Sequence, residues 1–246
     1  MARVLILVDA QDQQEGAETS VELAQGIAAL KLAIATFPVA PSSSIHVATE
    51  ILTASLQNVP LDKADQICPL MLNLPDFVAF PGQETYCACQ DISEMRRRVE
   101  QLGYLTGTGQ LWLPIVLTAR GALYGEVIGA EVVSAEAVSP TFFQPLHLSD
   151  RWRQALYWLG QRLLRSLSAP PATYLLQFGF EGEAIYFDRL LPFPAAPAIA
   201  SLGVQSPDLF ACHWLCISNQ PILDLKISSN AAYRVYEPTT ESVRLS

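Results

Sequence analysis

The sequence predicts a mixed fold, α/β (or α+β): a small α/β domain over residues 1–106, then a mainly antiparallel sheet with packed helices over residues 107–246. Three observations predict it. Arg3 to Val8 is a run of β-branched and leucine residues ending at Asp9, the pattern of a strand buried on both faces of a parallel sheet. An amphipathic helix from Arg151 to Leu167 runs into Ser168-Ala-Pro-Pro171, followed by two apolar strands hinged at Glu181-Gly182 that end in Leu191-Pro192-Phe193-Pro194. Finally, 50% hydrophobic residues across 246 positions supply one sizeable core or two small ones.

The elements follow in order. After a polar loop at Gln11 to Gly16, Ser20 to Thr36 carries Val21, Leu23, Ile27, Leu30, Leu32 and Ile34, too apolar all round for a surface helix. Such a helix is covered on most sides, by this chain or by a second subunit. Pro38 and Pro41 stop it, and Ser42-Ser43-Ser44 offer caps for a second helix with Ile45, Ala48, Ile51, Leu52, Ser55 and Leu56 on one face, a strand over Ile45 to Val47 being the alternative. Gln66 to Leu72 and Phe77 to Phe80, punctuated by Pro69, Pro75 and Pro81, predict short or edge strands. Asp91-Ile-Ser-Glu94 starts a helix that Gly103 ends.

Gly103 to Gly109 is a glycine and threonine turn and the best domain boundary. Leu111 to Leu117 and Ala122 to Val133 then predict strands joined at Ala119-Arg120-Gly121, and residues 134–148, with Pro140 and Pro145, predict a loop. Beyond the helix and hairpin, Ser206-Pro-Asp reads as a helix start with Pro at its first position. Ile222 to Ile227 and Ala231 to Tyr236 suggest a last strand pair before a polar terminus.

Charge and composition exclude several classes. Fifteen basic against 24 acidic residues give a net charge of −9, so a nonspecific polyanion binder would work against a repulsive field, and no nucleic acid partner is expected. Lysine occurs only at Lys31, Lys63 and Lys226. The apolar start lacks a small-residue cleavage site, since Asp9, Asp12 and Glu15 follow it, and no apolar run approaches the roughly 18 residues of a membrane span. The expectation is a cytoplasmic protein without membrane insertion. Five cysteines in a chain of this size fit a reducing compartment.

The chemical constellations are sparse. The Gly103 to Gly109 turn has the composition of a phosphate cradle, but a strand follows it instead of a helix and no lysine lies between Lys63 and Lys226, so it reads as a structural turn. Cys87, Cys89, Cys212, His213 and Cys216 are enough ligands for zinc in number. Their spacing fits no ribbon or finger, and residues 212 and 216 share a helix face that 213 does not, so they read as core residues and no metal is expected. His46, His147 and His213 have no nucleophile at triad spacing. Arg96-Arg97-Arg98 spans nearly a full helical turn and reads as a solvated face, with an anionic partner as the alternative. On the central helix Leu156, Leu159, Leu163 and Leu167 form the apolar stripe, while Trp152, Arg153, Trp158 and Arg162 are the candidate surface for a protein partner or for self-association.

The order strand Leu113 to Thr118, strand Tyr124 to Val133, helix Ala155 to Arg165, then Tyr174-Leu-Leu-Gln-Phe-Gly-Phe-Glu-Gly-Glu-Ala-Ile-Tyr-Phe-Asp-Arg-Leu-Leu-Pro-Phe-Pro194 resembles the C-terminal half of an ATP-grasp fold. Residues 195–210 are similar to the glycine and aspartate segment that opens that family's next helix. The resemblance implies a magnesium-binding carboxylate on the first hairpin strand and a Glu-x-Asn-Pro motif on the second. The first position falls at Gln177. Aligning Pro192 with the motif proline puts Arg189 at the glutamate and Leu191 at the asparagine, and a shift by one makes Asp188 the carboxylate with Leu190 at the asparagine. The strand that should bring a lysine to ATP reads Leu117-Thr118-Ala119, with Arg120 next, and the segment for a glycine-rich lid is too short.

Gln177, Asp188, Arg189 and Arg120 therefore stand at degenerate cofactor positions, and no bound cofactor and no catalytic residue are expected. The leading reading is an ATP-grasp-like protein that has lost catalysis and acts as a binding or scaffolding factor. One alternative is an active ligase of that architecture on an anionic small substrate. Another is an assembly or chaperone-like factor unrelated to ATP-grasp, docking through Ser20 to Thr36 or Pro192 to Pro197.

Overall fold

The computed structural model describes residues 2–9, 21–39, 45–52, 66–75, 77–131 and 140–236. The expected loop at Gln11 to Gly16, the caps at Ser42 to Ser44 and the polar terminus lie outside them. Strand β1 (Ala2–Asp9) is the centre of a three-stranded parallel sheet, flanked by β2 (Ile45–Leu52) and β3 (Gln66–Pro69). Its side chains alternate between two cores: Val4, Ile6 and Val8 face helix α1 (Val21–Thr36), while Leu5 and Leu7 meet Met71 and Val78. A strand buried on both faces needs this unbroken apolar run.

Three expectations for this half change. Ile45 to Leu52 is a strand and not a helix: Ile45, Val47, Thr49 and Ile51 are β-branched at every second position, and the segment pairs with β1 along its whole length, which outweighs the helical spacing. Phe77 to Phe80 forms no strand. The Val78 amide closes a turn on the Pro75 carbonyl at 3.0 Å, and the buried Val78 side chain caps Leu5 and Leu7. A helix not foreseen, α2 (Gln83–Gln90), follows, and α3 (Ile92–Gln101) then starts as expected with Asp91 accepting from the Glu94 amide at 2.9 Å.

The larger sheet has eight strands. Its path is β13 (Arg234–Val235), β8 (Thr141–His147), β7 (Val127–Glu131), β5 (Leu111–Thr118), β9 (Ala172–Glu181), β10 (Ala184–Leu191) and β4 (Leu105–Thr106), with β6 (Gly121–Tyr124) also on β5. On β5 and β9, Trp112, Val116 and Leu175 face one core and Leu113, Ile115, Leu176 and Phe178 the other. The first face is covered by α5 (Leu209–Ile217), which packs on α1, so the two sheets share one core through these helices. The second is covered by α4 (Asp150–Ser166), through Leu156, Leu159 and Leu163, and by Met95 and Val99 of α3. Helix α1 buries only Gly26, Leu30, Ala33 and Ile34, and leaves Val21 and Leu32 exposed. Among the described residues the chain does not give α1 the expected cover on most sides.

The β9–β10 hairpin matches its expected hinge, a two-residue loop whose first residue, Gly182, sits at φ 57°. Two further expectations are corrected. Thr141 to His147 is a strand, not loop, and Pro145 is accommodated where the β7–β8 register shifts, so its missing N–H breaks no ladder bond. At the C-terminal end Asp208, not Ser206, caps α5, accepting from the Phe210 and Ala211 amides at 2.9 Å each. The expected terminal strand pair does not form, because β12 (Lys226–Ile227) pairs with β11 (Gln205–Ser206) and β13 with β8. Among the described residues no helix is long and apolar enough to cross a membrane.

Candidate functional site

The polar centre of the molecule lies where the segment after α3 crosses the hairpin. Strand β10 carries a register shift between Phe187 and Arg189, and the bulge turns Asp188 inward, 3% exposed. A buried carboxylate requires partners, and Asp188 has them. Oδ1 accepts from Arg96 Nη2 at 2.6 Å, and Oδ2 accepts from the Gly109 amide at 3.0 Å. Arg96 also donates through Nε to the Asp188 carbonyl (3.1 Å) and through Nη2 to the Gly107 carbonyl (3.0 Å). Gln177, opposite Arg189 on β9, donates its amide to the Gly109 carbonyl at 2.6 Å. Arg189 lies 3.6 Å from Asp188 through Nε, which is buried and has no hydrogen bond.

The approach between turn and hairpin is close enough to dictate residue type. A Cβ on Gly109 would stand 2.0 Å from both the carbonyl carbon and oxygen of Phe178, and one on Gly179 would stand 2.8 Å from the Thr108 carbonyl oxygen. Both contacts are with backbone, so glycine is required on each side of the crossing.

The structure thus brings together Gln177, Asp188 and Arg189. It leaves Arg120 apart: Gln177 pairs with Trp112 near one end of β5, whereas Arg120 follows Thr118 at the other, about 20 Å along the strand. The residue the sequence reading missed is Arg96. Ile92, Met95, Arg96 and Val99 fall at i, i+3, i+4 and i+7 on α3, so Arg96 occupies an apolar-stripe position. A guanidinium there demands an inward anion, and that spacing is the signal a solvated-face reading passes over.

The candidate partner surface on α4 is mostly engaged within the chain. Trp152 packs edge-on against Phe180 with ring centroids 5.2 Å apart, and Arg153 pairs with Asp150 and, at 3.7 Å, with Glu126. Arg162 donates to the Leu102 carbonyl at 2.9 Å and lies over the Tyr104 ring. Trp158 is left 60% exposed.

Four of the five cysteines are buried as free thiols, and burial pushes Cys89 and Cys216 up to about 12. His213 on α5 is fully buried, accepts at Nδ1 from the Thr173 amide (3.3 Å), and is held down at about 4 by burial. An unfolded histidine takes up its proton near 6.5 while the folded one stays neutral. Its contribution to stability is therefore complete above about pH 6.5 and is lost as pH falls towards 4, a difference of about 3 kcal/mol. Urea unfolding across that window should show His213→Gln losing less stability on acidification than the parent chain, and parallel pH profiles would contradict this.

No model of a protein family matches the sequence, and no curated protein matches it. The fold is similar to those of several solved structures. The N5-carboxyaminoimidazole synthetase from Staphylococcus aureus superposes with a TM-score of 0.68 at 10% identity, over 92% of this chain and 80% of that one. Glycinamide-RNase-transformylase T from Mycobacterium tuberculosis gives 0.58 at 16% identity, over 89% and 80%. D-alanine-D-alanine ligase from Aeromonas hydrophila gives 0.56 at 12% identity, over 81% and 91%. These proteins share the ATP-grasp fold, and the architecture of this chain is ATP-grasp-like. The reading that separated the chain from that fold is thereby set aside.

Proposed function

We propose, from an ATP-grasp-like fold as the premise, that this chain is a catalytically degenerate member of that architecture that acts by binding or scaffolding. The observation that carries the reading is the engagement of Asp188. A magnesium-ATP site needs hard oxygen ligands for the metal and cations to meet the phosphates. Here both carboxylate oxygens of Asp188 are taken by Arg96 and the Gly109 amide, and Gln177 offers a neutral amide already donated to Gly109. Arg189 stands where the resemblance expects the metal-binding glutamate. Between α3 and β5 the chain has only residues 102–110, part of them forming β4 on the hairpin edge, so no lid is formed by this stretch among the described residues. These residues do not fit magnesium-ATP.

The binding role is assigned to the outer face of α4, where Trp158 is the largest exposed apolar side chain among the described residues. Isothermal titration with magnesium-ATP is expected to give no saturable heat, and micromolar binding would overturn the reading. A second reading, an active ligase on an anionic small substrate, is favoured by the synthetase and ligase among the structures similar in fold. ATP turnover on presenting small carboxylic acids would establish it in place of the first.

A further inference from the structure

A second feature lies at the opposite end of β9. Around Ala172, five residues and about 17 Å along the strand from Gln177, the chain forms a half-open pocket of about 250 Å³ between β3, the start of α2 and the end of α5. Pockets for drug-sized ligands run to roughly 300–1,000 Å³, so this one suits a single ring with a short substituent.

Its walls are apolar and stiff. Pro69, Pro81, Pro170 and Pro171 form much of them, and the Tyr86 and Tyr174 hydroxyls donate outward to the Pro69 and Pro170 carbonyls at 3.0 and 2.6 Å. Those hydrogen bonds consume the tyrosine protons and fix the wall, so a ligand would meet a preformed surface with little ordering cost. No aspartate, glutamate, lysine or arginine lines the cavity among the described residues, and a charged guest would lose its hydration without a counter-charge.

Two largely buried residues in the lining make no hydrogen bond through their functional atoms among the described residues, and neither atom is sealed from solvent. His213, 2% exposed, uses Nδ1 to accept from the Thr173 amide, which places the proton of the neutral ring on Nε2, and Nε2–H has no acceptor. The Thr85 side chain, 3% exposed, likewise makes no hydrogen bond through its hydroxyl. Because burial keeps His213 neutral down to about pH 4, it presents a hydrogen-bond donor and not a cation.

We propose that this cavity binds a small uncharged molecule with an apolar ring and one hydrogen-bond acceptor, such as a ketone or amide oxygen, which meets His213 Nε2–H. The inference is independent of any nucleotide role, since it involves neither Asp188 nor Gln177. It is tested by NMR titration of the full chain with acetophenone, ethylbenzene and benzoate. Acetophenone should bind saturably and shift the Ala172 and Ile217 resonances. Ethylbenzene, which lacks the acceptor, should bind about fivefold more weakly, the worth of one hydrogen bond. Benzoate should not bind. Ile217→Trp fills the cavity at a half-buried lining position and should abolish acetophenone binding while leaving distant resonances in place. No saturable binding of acetophenone, equal binding of ethylbenzene or benzoate, or binding that persists in Ile217→Trp would each overturn the proposal.

Discussion

Gly109→Ala is expected to cost about 4–5 kcal/mol and to leave the chain largely unfolded at body temperature. The new methyl would sit 2.0 Å from the backbone of Phe178, and no side chain can move aside to admit it. Relief requires the turn to lift from β9, and four groups then lose partners: the Gln177 amide, the Gly109 carbonyl, the Gly109 N–H and one Asp188 oxygen. Their desolvation adds to the steric cost. Urea unfolding reads the effect, and a variant within about 1 kcal/mol of the parent would show that the crossing is slack. A glycine whose task was to admit a phosphate would behave differently, losing affinity with its stability intact.

Asp188→Ala is expected to destabilise by about 3 kcal/mol, the lower end of the range for breaking a buried ion pair, because the Arg96 side chain keeps 30% of its surface in contact with water. Asp188→Asn should cost less, since an amide oxygen still accepts one of the two donors. The double variant Arg96→Met with Asp188→Leu should recover much of the loss, as no charge is then stranded. A double-mutant cycle with a coupling near zero would show that the two residues act independently. It would also return Asp188 to the pool of available metal ligands and so weaken the non-catalytic reading.

Local signals made the hairpin and the central helix legible from sequence. The β9–β10 pair announces itself through two largely apolar runs hinged at Glu181-Gly182, and α4 through leucines at 156, 159 and 163. What could not be read locally was set by partners distant in sequence. Ile45 to Leu52 has both helical and alternating apolar spacing, and only its pairing with β1 decides between them. Thr141 to His147 looks like loop because Pro140 precedes it and Pro145 interrupts it, until β7 supplies a register irregularity that tolerates the latter. Arg96 and Asp188 are separated by 92 positions, so neither predicts the other. The apolar stripe on α3 was the one available clue. The cavity beside His213 is still less accessible to sequence reading, because its walls come from β3, α2, β9 and α5 together.

The bulge at Asp188 also shapes how the molecule can meet others. Strand β10 is the last long strand on its side of the sheet, and beyond it β4 pairs only at Tyr186 and Phe187. An exposed ladder of that length invites strand addition and aggregation. Here the ladder is interrupted by an inward charge, clasped by Arg96, and terminated by Pro192 and Pro194, three of the devices that make an edge refuse a foreign strand. At the other margin β13 is two residues long and β8 carries Pro145. Copies of this chain are thereby discouraged from polymerising through the edges of the eight-stranded sheet.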